Sequence, residues 1–371
     1  MRILVLAPVY PCPVDNGAKR RVAAFLEYFT QQHDLTIAAL APEDQRSFTN
    51  EVGWETVVVT WRDRTLQPAI GSLISNRTFR EIKFWTPELQ ERINQILRVG
   101  EYDVIWVNFL NMTRYLVPWL EEVSSPPVLI LDQHNVDTQF WETFQRKAAN
   151  PGVRFLAHRE VRKAIGRQRE WYPRFDAVAS VSEEDRELTG EFLEHNHTES
   201  WLVPNGVDTD YFSPRDLNHP TESGCKLIFT GSMDAYMNQQ AVIWFAENAW
   251  PIIKRNKPDV KFFIVGRDPG QAVRALSSEE GIVVTGSVPD IRDYMKMADV
   301  AVIPVQMGGG TKLKTIEAMS MALPIVSTHA GAKGLGVVSK KELLLADSPD
   351  MFAESVITLL NDRKQKKSLG K

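Results

Sequence analysis

The sequence predicts an α/β protein built from two doubly wound, parallel-sheet domains. Three observations carry that expectation. Short apolar runs recur along the chain, separated by segments of helical periodicity, the alternation that builds parallel sheets covered by helices on both faces. The one strong break is VPNGVDTDYF at 203–212 and the polar run to residue 224 after it, where chains commonly pass between domains. Several of the apolar runs end in glycine turns, the place where open α/β sheets hold ligands. The expected division is a first domain 1–204, a linker 205–224 and a second domain 225–371.

The chain has 371 residues, enough for two cores, with 43% hydrophobic and 24% charged residues, ordinary values for a globular protein. A net charge of -4 excludes a chain-wide field for nucleic acid. Cys12 and Cys225 stand far apart and without metal-ligand spacing, which implies a reducing compartment and no metal. The opening MRILVLAP reads as a strand, not a leader peptide, and no apolar run approaches the ~20 residues of a membrane span. The expected location is therefore cytoplasmic, with any membrane contact peripheral.

In order, 3–6 reads as a buried strand, followed by the loop PVYPCPVDNGAKRR and a helix periodic through Val22, Phe25, Leu26 and Phe29. Asn16 and Gly17 stand where turn meets helix; a plain helix start is the alternative to a ligand contact. The loop lacks a G-x-G-x-x-G fingerprint, which argues against a dinucleotide oxidoreductase. Lys19, Arg20 and Arg21 crowd the first helical turn, so an anion is expected nearby. Runs 35–40 and 56–61 read as strands. Between 62 and 99, helical patterns interleave apolar and aromatic residues with Arg77, Arg80 and Lys83, a composition that suits a domain flank or a membrane surface. Runs 102–108 and 128–133 are further strands. His134 lies just past the second, where it is suited to a sugar hydroxyl or a phosphate and titrates near neutrality; a strand-end cap is the alternative. Residues 146–174 hold nine Arg or Lys against two Glu, a long basic helix interrupted near Asn150 that is either solvated or presented to an anionic acceptor or leaflet. Strands at 177–182 and 201–203 flank a helix at 183–194.

Alternation restarts at Lys226 and continues through strands at 262–265, 282–285, 300–305 and 325–327. Gly231 and Ser232 end the first of these and offer backbone donors to a phosphate. Arg267 ends the second, suited to stack on a base or clamp a phosphate, or else to stand as an ordinary loop arginine. Val288 and its neighbours end the third and can pair main-chain groups with a base edge. After the fourth come Gly308, Gly309 and Gly310, a turn without β-carbons that a ligand can approach closely. Thr311 is the expected helix N-cap. Lys312 and Lys314 then sit in the first turn, against the helix dipole, an unfavourable place unless a phosphate or diphosphate rests on the turn. Glu317 shares a face with Leu313, Ser320 and Met321, suited to accept from sugar or ribose hydroxyls; an i,i+3 pair with Lys314 is the alternative. A ligand cleft between the two domains is the default expectation.

VPNGVDTDYF, VTGSVPDIRDYMKMADVAVIPV and GGGTKLKTIEAMSMALPIVSTHAGAKGL together resemble the family-4 glycosyltransferases of the GT-B fold, two Rossmann-like domains facing a central cleft. GSMDAYMNQQAVIWFAENAWPII resembles a subgroup of bacterial sugar transferases linked to exopolysaccharide assembly. The resemblance implies a retaining, metal-independent transfer from a nucleoside-diphosphate sugar to a glycan or lipid-linked acceptor. The donor would lie in the second domain and the acceptor in the first, with no cofactor beyond the donor itself. By position Glu317 matches the second glutamate of the family's E-x7-E motif, expected on the donor ribose, while Gly309 stands where the first belongs. The arginine and lysine usual after the first strand of the second domain are missing, and Lys312 and Thr311 are the expected replacements on the diphosphate. His134 and Asn16-Gly17 match positions beside sugar and acceptor. A closing helix that crosses back to the first domain looks short or absent. The expected catalytic set is thus His134, Lys312 and Glu317. The expected donor set is Gly231, Ser232, Arg267, Val288, Gly308, Gly309, Gly310, Thr311, Lys312 and Glu317, with Asn16 and Gly17 on the acceptor side. The departures leave open a catalytically degenerate sugar-nucleotide-binding partner protein. A sugar-nucleotide epimerase would need flanking acid–base carboxylates, which the sequence does not supply.

Overall fold

Apolar runs along the first half of the chain pair side by side, all in parallel. They form β1 (Arg2–Ala7), β2 (Asp34–Ala41), β3 (Glu55–Thr60), β4 (Val104–Asn108), β5 (Val128–Gln133), β6 (Ala177–Ser180) and β7 (Glu199–Leu202). Spatial order is β3-β2-β1-β4-β5-β6-β7. Between them run α1 (Gly17–Phe29), α2 (Leu66–Ile74), α3 (Phe79–Lys83), α4 (Pro87–Val99), α5 (Val117–Leu120), α6 (Asp137–Lys147), α7 (Pro151–Trp171) and α8 (Glu183–Gly190). The computed structural model describes residues 1–43, 53–62, 66–148, 150–193, 197–214, 225–362 and 369. By internal contacts the chain divides into Met1–Pro204 and Asn205–Lys371.

The second unit repeats the pattern with β8 (Lys226–Thr230), β9 (Lys261–Val265), β10 (Ile282–Gly286), β11 (Val300–Ile303), β12 (Ile325–Ser327) and β13 (Leu344–Leu345), in the order β10-β9-β8-β11-β12-β13. Its helices are α9 (Tyr236–Trp244), α10 (Trp250–Asn256), α11 (Gln271–Ala275), α12 (Ile291–Met297), α13 (Leu313–Ser320), α14 (His329–Ala332) and α15 (Pro349–Asn361). In each sheet the first and fourth strands are neighbours, although chain order would separate them. The chain leaves β1 (or β8) to one side and returns on the other. The loops at the carboxyl ends of that central pair diverge and leave a crevice. Both faces of each sheet are covered, which is why β2 and β8 are apolar nearly end to end and buried residue after residue.

Caps and prolines set the helix boundaries. The helical pattern of 62–99 resolves into three helices because Thr78 and Glu81 form a reciprocal capping box and Thr86 caps a helix opened by Pro87. The long basic segment is two helices, since Asn150 caps α7 and Pro151 opens it. Strand β11 stops at Ile303 because Pro304 has no amide hydrogen for a ladder. Residues 215–224 of the expected linker lie outside the described residues, as do 363–368, 370 and 371. Its earlier part is docked on the second unit. Phe212 is fully buried in that core, the Asp208 side chain caps the amides of Asp210 and Tyr211, and Arg292 stacks 3.8 Å over the Tyr211 ring.

One glycine sets how closely two of the second unit's turns approach. A β-carbon on Gly266, whose φ is +158°, would lie 1.8 Å from the Gly231 carbonyl oxygen, so the turns after β8 and β9 lie against each other only because that atom is missing. Gly266→Ala is expected to cost at least ~1–3 kcal/mol from the backbone alone, with the clash adding to it. Denaturant unfolding should show a lower midpoint, and an unchanged midpoint would contradict the packing described.

Candidate functional site

In the second unit the crevice is flanked by the turn after β8, Gly231 to Asn238, and the turn after β11, Gly308 to Lys312. The first is pinned from beneath: the Gly231 amide donates to Val265 O (3.0 Å) and the Met233 amide to Arg267 O (2.8 Å). Asn238, at the start of α9, closes the turn by donating Nδ2 to Ser232 O (2.7 Å). The Ser232 hydroxyl is buried and has no hydrogen-bond partner among the described residues. Such a group costs on the order of 1–3 kcal/mol when left unmet, and a bound ligand can meet it.

Lys314 reaches into this turn from α13. Its ammonium donates to Asn238 Oδ1 at 2.6 Å and lies 3.9 Å from the centre of the Phe229 ring. A β-carbon on Gly231 would sit 2.7 Å from it. Its partners are thus a neutral amide and an aromatic face, and no described carboxylate forms an ion pair with it. Burial, with the Lys312 charge acting in the same direction and Glu317 opposing, pulls its pKa down to about 7. Thr315, next on the helix, donates Oγ1 to Gly331 O (2.9 Å) and fixes α13 against α14, which follows β12.

The glycine turn behaves differently from expectation in one respect. Thr311 is not the N-cap. Helix α13 begins at Leu313, Lys312 holds the cap position with extended backbone and no capping side chain, and Thr311 Oγ1 instead accepts from Asn205 Nδ2 at 2.6 Å. The positive φ values of Gly308 (+120°) and Gly310 (+66°) carry the chain further before it can turn helical. Lys312 folds its ammonium back over the turn, donating to Gly309 O (2.8 Å) and Gly310 O (3.1 Å). Glu317 is buried one turn along α13; the pair with Lys314 does not form, since that ammonium goes to Asn238. Arg267, brought alongside Gly231 by Gly266, pairs with Asp268 (3.0 Å) and Asp234 (3.6 Å). Val288 follows the edge strand β10 and packs on the rim of the core, away from the central pair. Gly231 therefore lies against Lys314, Ser232 is joined to it through Asn238 with Arg267 alongside, and Gly308 lies beside Lys312.

The first unit uses the same topological position otherwise. Arg21 from α1 grips the fully buried Asp132 at the end of β5 with three contacts of 2.7–3.1 Å. His134 Nε2 stands 3.4 Å from Asp132 Oδ2 and 3.3 Å from Asn108 Oδ1, its ring 4.0 Å from that of Phe109. Burial lowers the His134 pKa, although Asp132 pulls the other way, and the net direction favours the neutral imidazole. Asp132 is held below the usual carboxylate range: burial would raise it, and His134 and Arg21 outweigh that. Asn16 spends its side chain capping α1 at the Lys19 amide (3.1 Å), and Gly17 is the exposed first residue of that helix. The anion expected beside Lys19 and Arg21 proves to be the protein's own, since Lys19 pairs with Asp15 (3.2 Å) and Arg21 with Asp132.

Sequence reasoning missed Lys314 and Asn238 as a pair. Both lay in view, the lysine as a misplaced first-turn cation and the asparagine in the segment noted for lacking Arg and Lys. Only the adjacency of β8 and β11 joins them. Among the described residues no group of three or more His, Cys, Asp or Glu is arranged to hold a metal ion.

The sequence pattern described as Glycosyltransferase Family 4 matches residues 15–211, and that described as Glycosyl transferases group 1 matches 224–362. An uncharacterized 44.6 kDa protein in the cps region of Klebsiella pneumoniae is 26% identical over 141 residues, 36% of each chain. The Escherichia coli UDP-Gal:alpha-D-GlcNAc-diphosphoundecaprenol alpha-1,3-galactosyltransferase is 25% identical over 223 residues, covering 54% of this chain and 57% of that protein. The matches thus span between about a third and somewhat over half of these relatives. Among solved structures, sucrose-phosphate synthase from Thermosynechococcus elongatus superposes with a TM-score of 0.74 at 15% identity, covering 100% of this chain and 92% of that one. HepE from Anabaena, in complex with UDP-glucose, superposes at 0.68 and 14% identity with coverage of 100% and 92%. At these identities the structural likeness establishes the fold, GT-B.

An anion on the Gly231 turn should restore the charged form of Lys314, so its binding takes up a proton. Affinity for inorganic diphosphate, measured by calorimetry, is expected to fall as pH rises above 7, by up to about tenfold per unit. The lysine's folded pKa lies below its unfolded value, so the unfolded chain holds more protons above pH 7. The empty protein should therefore gain stability from this group as pH rises from 7 towards 10. Lys314→Met should remove both trends; if it leaves the pH dependence of binding intact, Lys314 is not the titrating group.

Proposed function

The chain belongs to glycosyltransferase family 4, and from that premise we propose that it is a retaining glycosyltransferase. It moves a sugar from a nucleoside-diphosphate donor to a hydroxyl of a glycan or lipid-linked acceptor in the assembly of a cell-surface or exported polysaccharide. The observation that carries this reading is the Lys314 ammonium, held by neutral partners against the Gly231 turn beside an unmet Ser232 hydroxyl. That is a site prepared for a doubly phosphorylated leaving group. The HepE structure with UDP-glucose and the galactosyltransferase activity named for the E. coli relative support the donor class and the acceptor class respectively.

In this reading the donor diphosphate lies over Gly231 and Ser232 and beside Gly308 to Thr311. Lys314 and Lys312 neutralise the charge that develops as the bond between the anomeric carbon and the phosphate oxygen breaks. Glu317 accepts hydrogen bonds from the ribose, and main-chain groups near Val288 meet the base. The acceptor hydroxyl attacks from the face the diphosphate leaves, and its proton passes to a donor phosphate oxygen. No protein nucleophile is required, and configuration is retained. The first unit takes the acceptor, with His134 offering a neutral imidazole to a sugar hydroxyl; Asp132 and Arg21 hold it in place. The donor's own phosphates supply charge and base, and we assign no metal or cofactor to the reaction.

Two substitutions test the assignment. Lys314→Ala is expected to lower turnover on the order of 10²–10³-fold. Lys312→Ala should do likewise if its ammonium leaves the glycine carbonyls for the diphosphate. A panel of nucleotide sugars scored by melting temperature identifies the donor, and release of nucleoside diphosphate then measures turnover. Tight donor binding without release, in the presence of lipid-linked and soluble glycan acceptors, would replace the transferase with a binding protein.

A further inference from the structure

Helix α2 is inside out. Its buried residues are Pro68 and Ser72, while Ile70 is 51% and Ile74 83% exposed, with Leu73 also turned outward. Water favours the opposite arrangement. The end of α2 lies against α7: Arg159 donates to Leu73 O (3.0 Å), Lys163 donates to Arg77 O (3.1 Å), and Lys163 also donates to Ser72 O. One turn toward the start of α7, on the side that carries Arg159, come Phe155 and Leu156, exposed together with Val153, Phe155 at 59%. Two helices thus bring six large apolar side chains to one end of the first unit, more than scattered exposure accounts for.

The charge around this patch is predominantly positive. Arg146 and Lys147 end α6, which packs along α7, and Arg154, Arg159 and Arg162 follow on α7. Where their bonds are fixed, the partners are neutral: Arg146 donates to the Thr143 hydroxyl, Arg154 to Ala148 O and Arg159 to Leu73 O. None of the five forms an ion pair with a described carboxylate. Other cations of these helices are paired with carboxylates, Arg80 with Asp137, Lys163 with Glu160 and Arg167 with Glu81. Glu142 is the exposed acid nearest on α6, and Glu160, the one acid between 146 and 163, is buried against Lys163.

We infer that the end of α2 and the start of α7 form a docking surface for an anionic lipid bilayer, with the aliphatic residues and Phe155 entering the headgroup boundary and the arginines and Lys147 meeting lipid phosphates. Exposed isoleucine, leucine and phenylalanine ringed by unneutralised cations is the composition of an interfacial helix. A second copy of this chain fits poorly, because a two-fold contact would set the basic rim against itself. The inference does not rest on the transferase reading, and its test reads binding, not transfer.

The test is sedimentation of the full chain with large vesicles of phosphatidylcholine, alone or with about a third phosphatidylglycerol, at low and physiological salt. The expected result is at least tenfold tighter binding to the anionic vesicles, weakened several-fold by salt. Ile74→Glu with Phe155→Glu should cut binding tenfold or more, as should Arg154→Glu with Arg162→Glu. All four positions are exposed or nearly so, and the variants should keep the wild-type melting temperature and its shift with inorganic diphosphate. Equal binding to both vesicle types, binding unaffected by either pair of substitutions, or no binding at all would overturn the inference. So would a concentration-dependent dimer, by analytical ultracentrifugation, that Phe155→Glu abolishes.

Discussion

A lysine ammonium held by an amide oxygen and an aromatic ring, with no described carboxylate in ion-pair contact, is the constraint around which the second unit is built. Lys314 reaches Asn238 and Phe229 because β8 and β11 are neighbours in the sheet, and it finds room because residue 231 has no side chain. Gly266 permits the turn after β9 to press against that same glycine. Thr315, bonded to Gly331, fixes the helix that delivers the lysine. Each contact narrows where the charge can go, and together they leave a positive group poorly solvated at the mouth of a crevice. Such an arrangement is a cost to the empty fold, and an anion removes it.

The first unit has the same strand order and the opposite electrostatic solution. Its buried guanidinium, Arg21, is met by Asp132 from across the sheet, and the pair steadies His134. The two domains thus share an architecture, while the crevice of the first pairs its buried guanidinium with a carboxylate and that of the second holds its ammonium on neutral groups. Family membership rests on sequence patterns that cover both units, and the difference in charge is what gives the two halves different work in the proposed reaction.

Much of the fold was legible because parallel strands buried on both faces are continuous apolar runs. The strand 128–133 and the strand 325–327 have the boundaries read from sequence. What was not legible depended on distance. Arg21 and Asp132 are 111 positions apart, so a cation in a first helical turn suggested a ligand where the protein supplies its own carboxylate. Strand β13 is two residues long, too short for periodicity to register. Thr311 looked like a cap because local spacing favoured it, and the left-handed glycines before it moved the helix start. Sequence alone favours Lys312 as a diphosphate ligand because it stands nearest the glycines, and only tertiary packing brings Lys314 against the turn around Gly231.

The position of a bound diphosphate is the decisive observation. A crystal structure of the protein with UDP should place the β-phosphate against the Gly231 turn, with an oxygen in hydrogen-bond reach of both Lys314 Nζ and Ser232 Oγ. Lys314 would then have exchanged or shared its bond to Asn238. A diphosphate bound elsewhere, with the ammonium still on Asn238 and the Ser232 hydroxyl still unmet, would contradict the role given to Lys314.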